Sequence, residues 1–417
     1  MKVAVIGSGI SGLVTSYLLK EEYQVTLFEK NSYLGGHTAT KELSGAHQGV
    51  AVDTGFIVFN NRTYPNFLKF LARLGVDYQN TDMSFSVSNK DTQLEYNGHS
   101  LSTLFADWKN AFNPKFYRLL YDIMRFNKQA RAAFDNHEID PDLTLGDFLD
   151  LHNYNEYFRV NYLMSMGAAI WSSSIREMEE FPLLFFVRFF INHGLLDVTN
   201  RPQWYVVKGG SHQYVKAWQK ECAEHVNIMS GAVSVTRDQH GVLVTTDSEQ
   251  LQFDKVIFAC HSDEALKLLG SNASPNEAQI LGDIPYQNNE VVLHTDITRL
   301  PKHKRAWAAW NYMLDNKDSP LATLTYNMNI LQGLKSDTTY CVSLNQTDQI
   351  DAEHIIGRYH YSHPVFNITS FEAQKKRDEI NGQHNTYFCG AYWYNGFHED
   401  GVRSALDVVK ALNGASL

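Results

Sequence analysis

Lys2-Val3-Ala4-Val5-Ile6-Gly7-Ser8-Gly9-Ile10-Ser11-Gly12 decides how this chain folds. Val3 to Ile6 is an unbroken apolar run, the pattern of a strand buried on both faces. Ile10, Leu13, Val14, Tyr17 and Leu18 then recur at helical spacing, and Gln24 to Glu29 is a second apolar, β-branched strand. A parallel pair needs a crossover helix, so the spacing predicts a β-α-β unit opening a parallel sheet. The three glycines have separate tasks: Gly7 turns the chain, Gly9 lets a pyrophosphate approach the backbone, and Gly12 lets helix and strand pack closely. The free N–H groups and positive dipole end of the helix then face phosphates. Glu29, 22 residues after Gly7, is placed to accept hydrogen bonds from ribose hydroxyls. A dinucleotide is expected, with NAD and FAD unseparated on these residues alone.

A chain of 417 residues implies two or three domains. With 44% hydrophobic and 20% charged residues it is ordinary globular material. The net charge of −10, without a basic block, argues against a nucleic-acid partner. Cys222, Cys260, Cys341 and Cys389 form no C-x-x-C pair, which argues against a disulfide scaffold or zinc site and fits a reducing compartment. The 17 histidines show no metal-ligand spacing, so no metal is expected. Lys2 runs at once into a strand, so no signal peptide is expected. The most apolar stretch, Phe181 to Ile191, is too short to cross a bilayer. The expected setting is cytoplasmic, with a peripheral contact at the inner membrane surface as a second candidate.

Helical patterns dominate from about Leu101 to Asn200, including Pro114 to Asn136 and Tyr154 to Ala169, and this stretch holds 19 aromatic residues. Strands return at Trp204 to Val207, Val226 to Ile228, Val242 to Thr246 and Val256 to Ala259. A further strand-rich region spans about Glu290 to Tyr361, followed by a short strand at Thr386 to Cys389 and a closing helix from about Gly401.

Beyond Glu29-Lys30 come Leu34-Gly35-Gly36-His37 and Val52-Asp53-Thr54-Gly55. Near the other end, Tyr387-Phe388-Cys389-Gly390-Ala391 precedes Gly396-Phe397-His398-Glu399-Asp400-Gly401-Val402. On these motifs, and on Lys208-Gly209-Gly210-Ser211, the chain resembles the flavin-containing amine oxidase and phytoene desaturase superfamily, and within it the bacterial members acting on unsaturated lipids. That resemblance implies an α/β fold: a Rossmann-like, GR2-type FAD-binding domain from residues 1–75, 205–275 and 376–417. Residues 76–204 and 276–375 would form an inserted mixed α/β substrate domain with a helical cap. It implies FAD held by Gly7, Gly9, Ile10, Ser11, Gly12, Glu29, Lys30, Gly35, Gly36, His37, Thr54, Gly55, Val233, Gly390, Glu399, Gly401 and Val402. His37 stands where the family usually has arginine. Val233 would offer its backbone to the adenine. Backbone N–H groups near Gly401 and Val402 would face the flavin pyrimidine. Cys389 lies on the wrong side of Gly390 for the usual attachment, so the cofactor is expected to be non-covalent.

Flavin accepts the hydride itself, so the protein needs little acid–base machinery. His363 and Tyr361, in Arg358-Tyr359-His360-Tyr361-Ser362-His363-Pro364, are the candidate proton-handling residues, with His398 a third. Phe397 occupies the place of a usual tyrosine in the family's aromatic cage, which disfavours amine oxidation. Phe181, Phe185, Phe186, Phe189 and Phe190 can lie along one helix, as core, as the lining of a lipid pocket or as a membrane contact. The expected substrate is a small hydrophobic molecule: an unsaturated, fatty-acid-like or isoprenoid lipid that gives up a hydride. Double-bond isomerisation, amine oxidation and a non-catalytic flavin- or lipid-binding module are the alternatives. The pattern fixes no oligomeric state.

Overall fold

The computed structural model describes residues 1–171, 173–197, 201–239, 241–314, 323–412 and 415–417. The chain divides into two compact units: Met1–Gln79, Val207–Tyr286 and Pro364–Leu417 form the first, Asn80–Val206 and Gln287–His363 the second.

The first unit is built on the opening motif. Among its elements are β1 (Lys2–Ile6), α1 (Ile10–Leu19), β2 (Gln24–Glu29), α2 (Pro65–Arg73), α3 (His212–Cys222), β3 (Val226–Ser230), β4 (Lys255–Phe258), β5 (Thr386–Phe388) and α4 (His398–Leu412). The five strands form one sheet in the order β3-β2-β1-β4-β5, and every neighbouring pair is parallel. Val3, Ala4 and Val5 have no exposed surface, as an apolar run covered on both faces requires. Between β3 and β4 the chain makes an antiparallel meander, Ser234–Asp238, Gly241–Thr245 and Gln250–Phe253. The helix Pro275–Gly282, expected in the substrate domain, belongs to this unit: Ile280 and Leu281 share a core cluster with Val235, Val244 and Phe388.

The second unit carries a seven-stranded mixed sheet in the order Ile355–Pro364, Tyr286–His294, Cys341–Leu344, Leu324–Asn327, Trp310–Leu314, Phe85–Asn89 and Leu94–Asn97. Residues 315–322, inside the strand-rich stretch expected over 290–361, lie outside the described residues. Helices cover part of this unit, among them Pro114–Asp135 and Leu183–Asn192. The helix expected over 154–169 runs without a gap from Glu156 to Trp171, widened by a π turn at Arg159–Leu163. The Ser165 hydroxyl follows that wider turn, donating to the Val160 carbonyl five residues back.

Four phenylalanines of the stripe, Phe181, Phe186, Phe189 and Phe190, are buried, and Phe185 is half-buried. Phe181 and Phe189 pack on Trp171 at ring separations of 4.6 and 4.8 Å. A membrane contact through these rings is excluded, because they face inward. Among the described residues, no helix is long and apolar enough to cross a membrane.

Candidate functional site

Gly7 turns out of β1 with φ +102°, a backbone state that a side chain would strain. A Cβ on Gly12 would lie 1.9 Å from the Gly7 carbonyl oxygen, so α1 can sit against the turn only without one. Gly9 differs. Its backbone is ordinary (φ −63°, ψ 177°), and a Cβ there would meet no atom within 4 Å. Nothing in the folded chain demands glycine at 9, and the space beside it suits a ligand that approaches the backbone closely.

Three segments close around this turn. The Gly35 N–H donates to Ser8, to its carbonyl and hydroxyl oxygens, both at 3.1 Å. A Cβ on Gly36 would lie 3.2 Å from Gly9 Cα. The 53–55 segment runs beside 37–39: Thr54 donates N–H and hydroxyl to the Ala39 carbonyl (2.9 and 3.1 Å), and a Cβ on Gly55 would strike the His37 carbonyl at 2.1 Å. The His37 ring stands 5.5 Å from that of His261, which stacks on Tyr286 at 4.5 Å. Asp53, fully buried, accepts from the Ser211 N–H at 2.9 Å and Ser211 Oγ at 2.8 Å, tying the Gly209-Gly210 turn to this cluster.

The closing motif returns to the same place. The Ser11 hydroxyl donates to the Gly401 carbonyl at 2.9 Å, and a Cβ on Gly401 would lie 2.6 Å from Ile10 Cγ2. The N-terminal turns of α1 and α4 thus converge, and two positive dipole ends favour an anionic group nearby. Gly390 donates its N–H to Ser404 Oγ at 2.8 Å, fixing the β5-to-α4 connection. The enclosed Cys389 thiol is pushed up to about 12 by burial.

Several of the residues expected at the cofactor have partners within the chain. α4 begins at His398, three residues earlier than expected, so the Gly401 N–H already donates to the Phe397 carbonyl at 3.1 Å. Val402 has no exposed surface and is helix interior. Glu399 is committed elsewhere: its carboxylate accepts from Asn66 Nδ2 (2.7 Å) and from the N–H groups of Asn66 (3.1 Å) and Phe67 (2.8 Å), capping α2. Val233 donates its N–H to the Thr245 carbonyl at 2.7 Å, which leaves its own carbonyl as its remaining backbone group. Lys30 pairs with Glu264. Glu29 Oε2 accepts from Ser8 N–H at 3.0 Å and Ser8 Oγ at 2.5 Å, while both bonds to Oε1 come from the exposed Asn31.

The three proton-handling candidates are divided between the units. His363 and Tyr361, two residues apart on Ile355–Pro364, share one face of an edge strand of the second unit. Tyr361 is buried, and His363 Nδ1 meets Asn289 Nδ2 at 3.0 Å. His398, in the first unit, has Nε2 at 2.8 Å from the Tyr214 hydroxyl, which bonds in turn to Thr38. Its ring stacks on Phe56 at 3.6 Å. Burial foremost, then neighbouring His37, holds its imidazole well below the usual range. His398 thus favours its neutral form and is held as a hydrogen-bonding group by Tyr214. Sequence reasoning missed Thr38, Phe56 and Tyr214; no local pattern marks them.

Next to His398, the Asp400 carboxyl is raised to about 7, by burial foremost, although it accepts the Phe397 N–H at 2.9 Å. Its folded value exceeds the unfolded one, so its contribution to stability is complete below the unfolded value and is lost as pH rises through 7. His193, His294 and His398 have lowered values and act in the opposite sense on acidification, so the comparison must be with Asp400→Asn. Denaturant unfolding of the two proteins should show the wild type losing about 2–3 kcal/mol relative to the variant between pH 5 and 8. A pH-independent difference would show that Asp400 titrates normally.

The parallel β-α-β core, with both chain ends meeting at a glycine turn, defines a Rossmann-like dinucleotide-binding flavoprotein fold. The model of the flavin-containing amine oxidoreductase family matches residues 10–296, more than half of the chain, and the protein belongs to that family. That family is one of flavin-containing oxidoreductases. A 1-hydroxycarotenoid 3,4-desaturase from Flavobacterium sp. (strain P99-3) is 35% identical over 171 residues, 38% of this chain and 30% of the relative. The chain thus spans under a third of that relative's length. Among solved structures, cyclohexylamine oxidase from Brevibacterium oxydans IH-35A superposes with TM-score 0.68 at 14% identity, over 99% of this chain and 98% of that one. A CLA-producing fatty acid isomerase from P. acnes does so with TM-score 0.69 at 13% identity, over 99% and 98%. At such identities the likeness is one of fold. The open space at Gly9 and the two converging helix ends fit FAD.

Proposed function

We propose that the first unit holds FAD non-covalently and that the enzyme removes a hydride from a hydrophobic, unsaturated substrate of isoprenoid or fatty-acid type. The observation that carries the substrate class is the 35% identity to a carotenoid desaturase. Bound FAD supplies the hydride acceptor. Gly9 gives the diphosphate room, the N-terminal turns of α1 and α4 offset its charge, and Glu29 takes the ribose by exchanging its bonds to Asn31. The neutral His398, stacked on Phe56, adds no charge that an apolar substrate would have to desolvate. Tyr361 and His363, on the second unit, are the proposed proton-handling pair. All four cysteines are free thiols, which supports a cytoplasmic setting.

The test is anaerobic mixing of the yellow protein with lipids recovered by solvent extraction of the purified material. Bleaching of the flavin spectrum, with a product carrying one more double bond, is expected. Product formed with a shifted double bond and no net bleaching would establish isomerisation, the reading that the isomerase fold neighbour favours. Bleaching by amines alone, with peroxide on admitting air, would overturn the lipid assignment.

A further inference from the structure

We propose that an exposed aromatic face over residues 101–124 of the second unit docks on an anionic lipid bilayer. Leu101, Trp108, Phe112, Tyr117, Tyr121 and Met124 are all at least half exposed, with Phe112 at 79% and Leu101 at 77%. An ordinary surface exposes large apolar side chains singly; a contiguous set marks an interaction site. These residues are contiguous. The Trp108 and Phe112 rings meet edge to face at 6.0 Å. The Tyr117 hydroxyl donates to the Ala111 carbonyl at 3.0 Å, and its ring lies 6.4 Å from that of Phe105. Tyr117, Tyr121 and Met124 follow at i, i+4 and i+7 on Pro114–Asp135, one helical face. The opposite face of that helix buries Phe116, Leu119 and Phe126.

The backbone under this face is held by polar caps, so the rings are not exposed through fraying. Ser100 closes a capping box at Leu101–Leu104, Asp107 accepts the Lys109 N–H at 3.0 Å, and Asn113 accepts the Lys115 N–H at 3.0 Å.

The charge pattern selects the occupant. Asp107 and Asp122 are the acids between 101 and 134, and both are buried. Asp122 pairs with Arg118 at 2.9 Å. Exposed among the aromatic residues and just beyond them are Lys109, Lys115, Arg118 and Lys128. Within a chain of net charge −10, the exposed charges of the segment 101–134 are thus all basic. Trp and Tyr at headgroup level with Lys and Arg around them is the composition of an interfacial anchor, and basic residues near an anionic leaflet add to binding individually.

The experiment is co-sedimentation of the full FAD-loaded chain with phosphatidylcholine vesicles, with and without phosphatidylglycerol, at low and high salt. Partition onto the anionic vesicles, weakened by salt, is expected. Trp108→Ser with Phe112→Ser should reduce it at least about tenfold, and Lys109→Glu with Lys115→Glu by a similar factor. Neither pair should move the Tm or the flavin spectrum, because the altered side chains are exposed. Absence of partition, or partition untouched by both pairs, would overturn the proposal. So would a dimer that the Trp108/Phe112 pair dissociates in analytical ultracentrifugation, which would make the face an interface between copies.

Discussion

Replacing Gly9 with valine is expected to leave the apoprotein as stable as the wild type and to reduce its affinity for FAD at least about a hundredfold. The two halves of this result come from one geometric fact. A Cβ at position 9 meets nothing within 4 Å, and the backbone there lies in a region open to any residue. The folded chain alone has no reason to reject a Cβ there, and the more restricted unfolded chain would favour the substitution by roughly 0.5 kcal/mol. The space the side chain fills is the space assigned to the diphosphate, so the loss falls on the cofactor. Gly12→Val supplies the contrast. Its Cβ would sit 1.9 Å from the Gly7 carbonyl, and the β1–α1 turn must open before any cofactor arrives. Calorimetry of the apoproteins with an FAD fluorescence titration separates the two. Tight FAD binding by Gly9→Val would place the diphosphate elsewhere.

The opening turn was legible because everything it needs is contiguous: an apolar strand, glycines at fixed offsets and a helix whose apolar spacing begins at once. The start of α4 was not. Glu399 and Asp400 read as residues ahead of a helix at Gly401, whereas they form its first turn, with Asp400 reaching back to the Phe397 N–H at 2.9 Å. Glu399 read as a cofactor contact because its partner, the N-terminus of α2, lies 332 residues away along the chain. The Thr38–Tyr214–His398 chain was invisible for the same reason: each member is ordinary in its own segment. In the second unit, Phe85–Asn89 and Leu94–Asn97 do alternate apolar and polar residues, but each run is short, and its polar positions are interior: Ser86, Ser88 and Asn89 are buried through hydrogen bonds to Asn311 (2.8 Å), Glu95 (3.1 Å) and Asn161 (2.7 Å). The phenylalanine stripe announced its helix, but only packing could say that it faces Trp171.

Glu277→Gln should cost the first unit about 3–5 kcal/mol, the largest stability loss expected from a change of one charge in this protein. Arg237, on the meander strand, grips Glu277 with both terminal nitrogens, at 2.6 and 2.8 Å, and the two side chains are 6% and 1% exposed. The same guanidinium donates to Thr386 Oγ1 on β5 at 3.1 Å and to the Asn272 carbonyl. One buried cation therefore joins the meander, the Pro275–Gly282 helix and the C-terminal strand, pieces that the sequence keeps far apart. Burial, the largest single influence, opposes charge on Glu277, yet the hydrogen bonds from Arg237 and Ser274 and the Arg237 charge together outweigh it, and the carboxyl is lowered from its ordinary value. Its contribution is thus present above the unfolded value and lost as pH falls through the folded one. Removing the charge leaves Arg237 buried without its counter-ion, which is the costly outcome. Replacing both residues with leucine removes the desolvated charges together and should recover most of the loss. A denaturant-based double-mutant cycle measures this directly, with a coupling of at least about 2 kcal/mol expected. If Glu277→Gln costs less than about 1 kcal/mol, water reaches the pair, and the three segments are held by their apolar core alone.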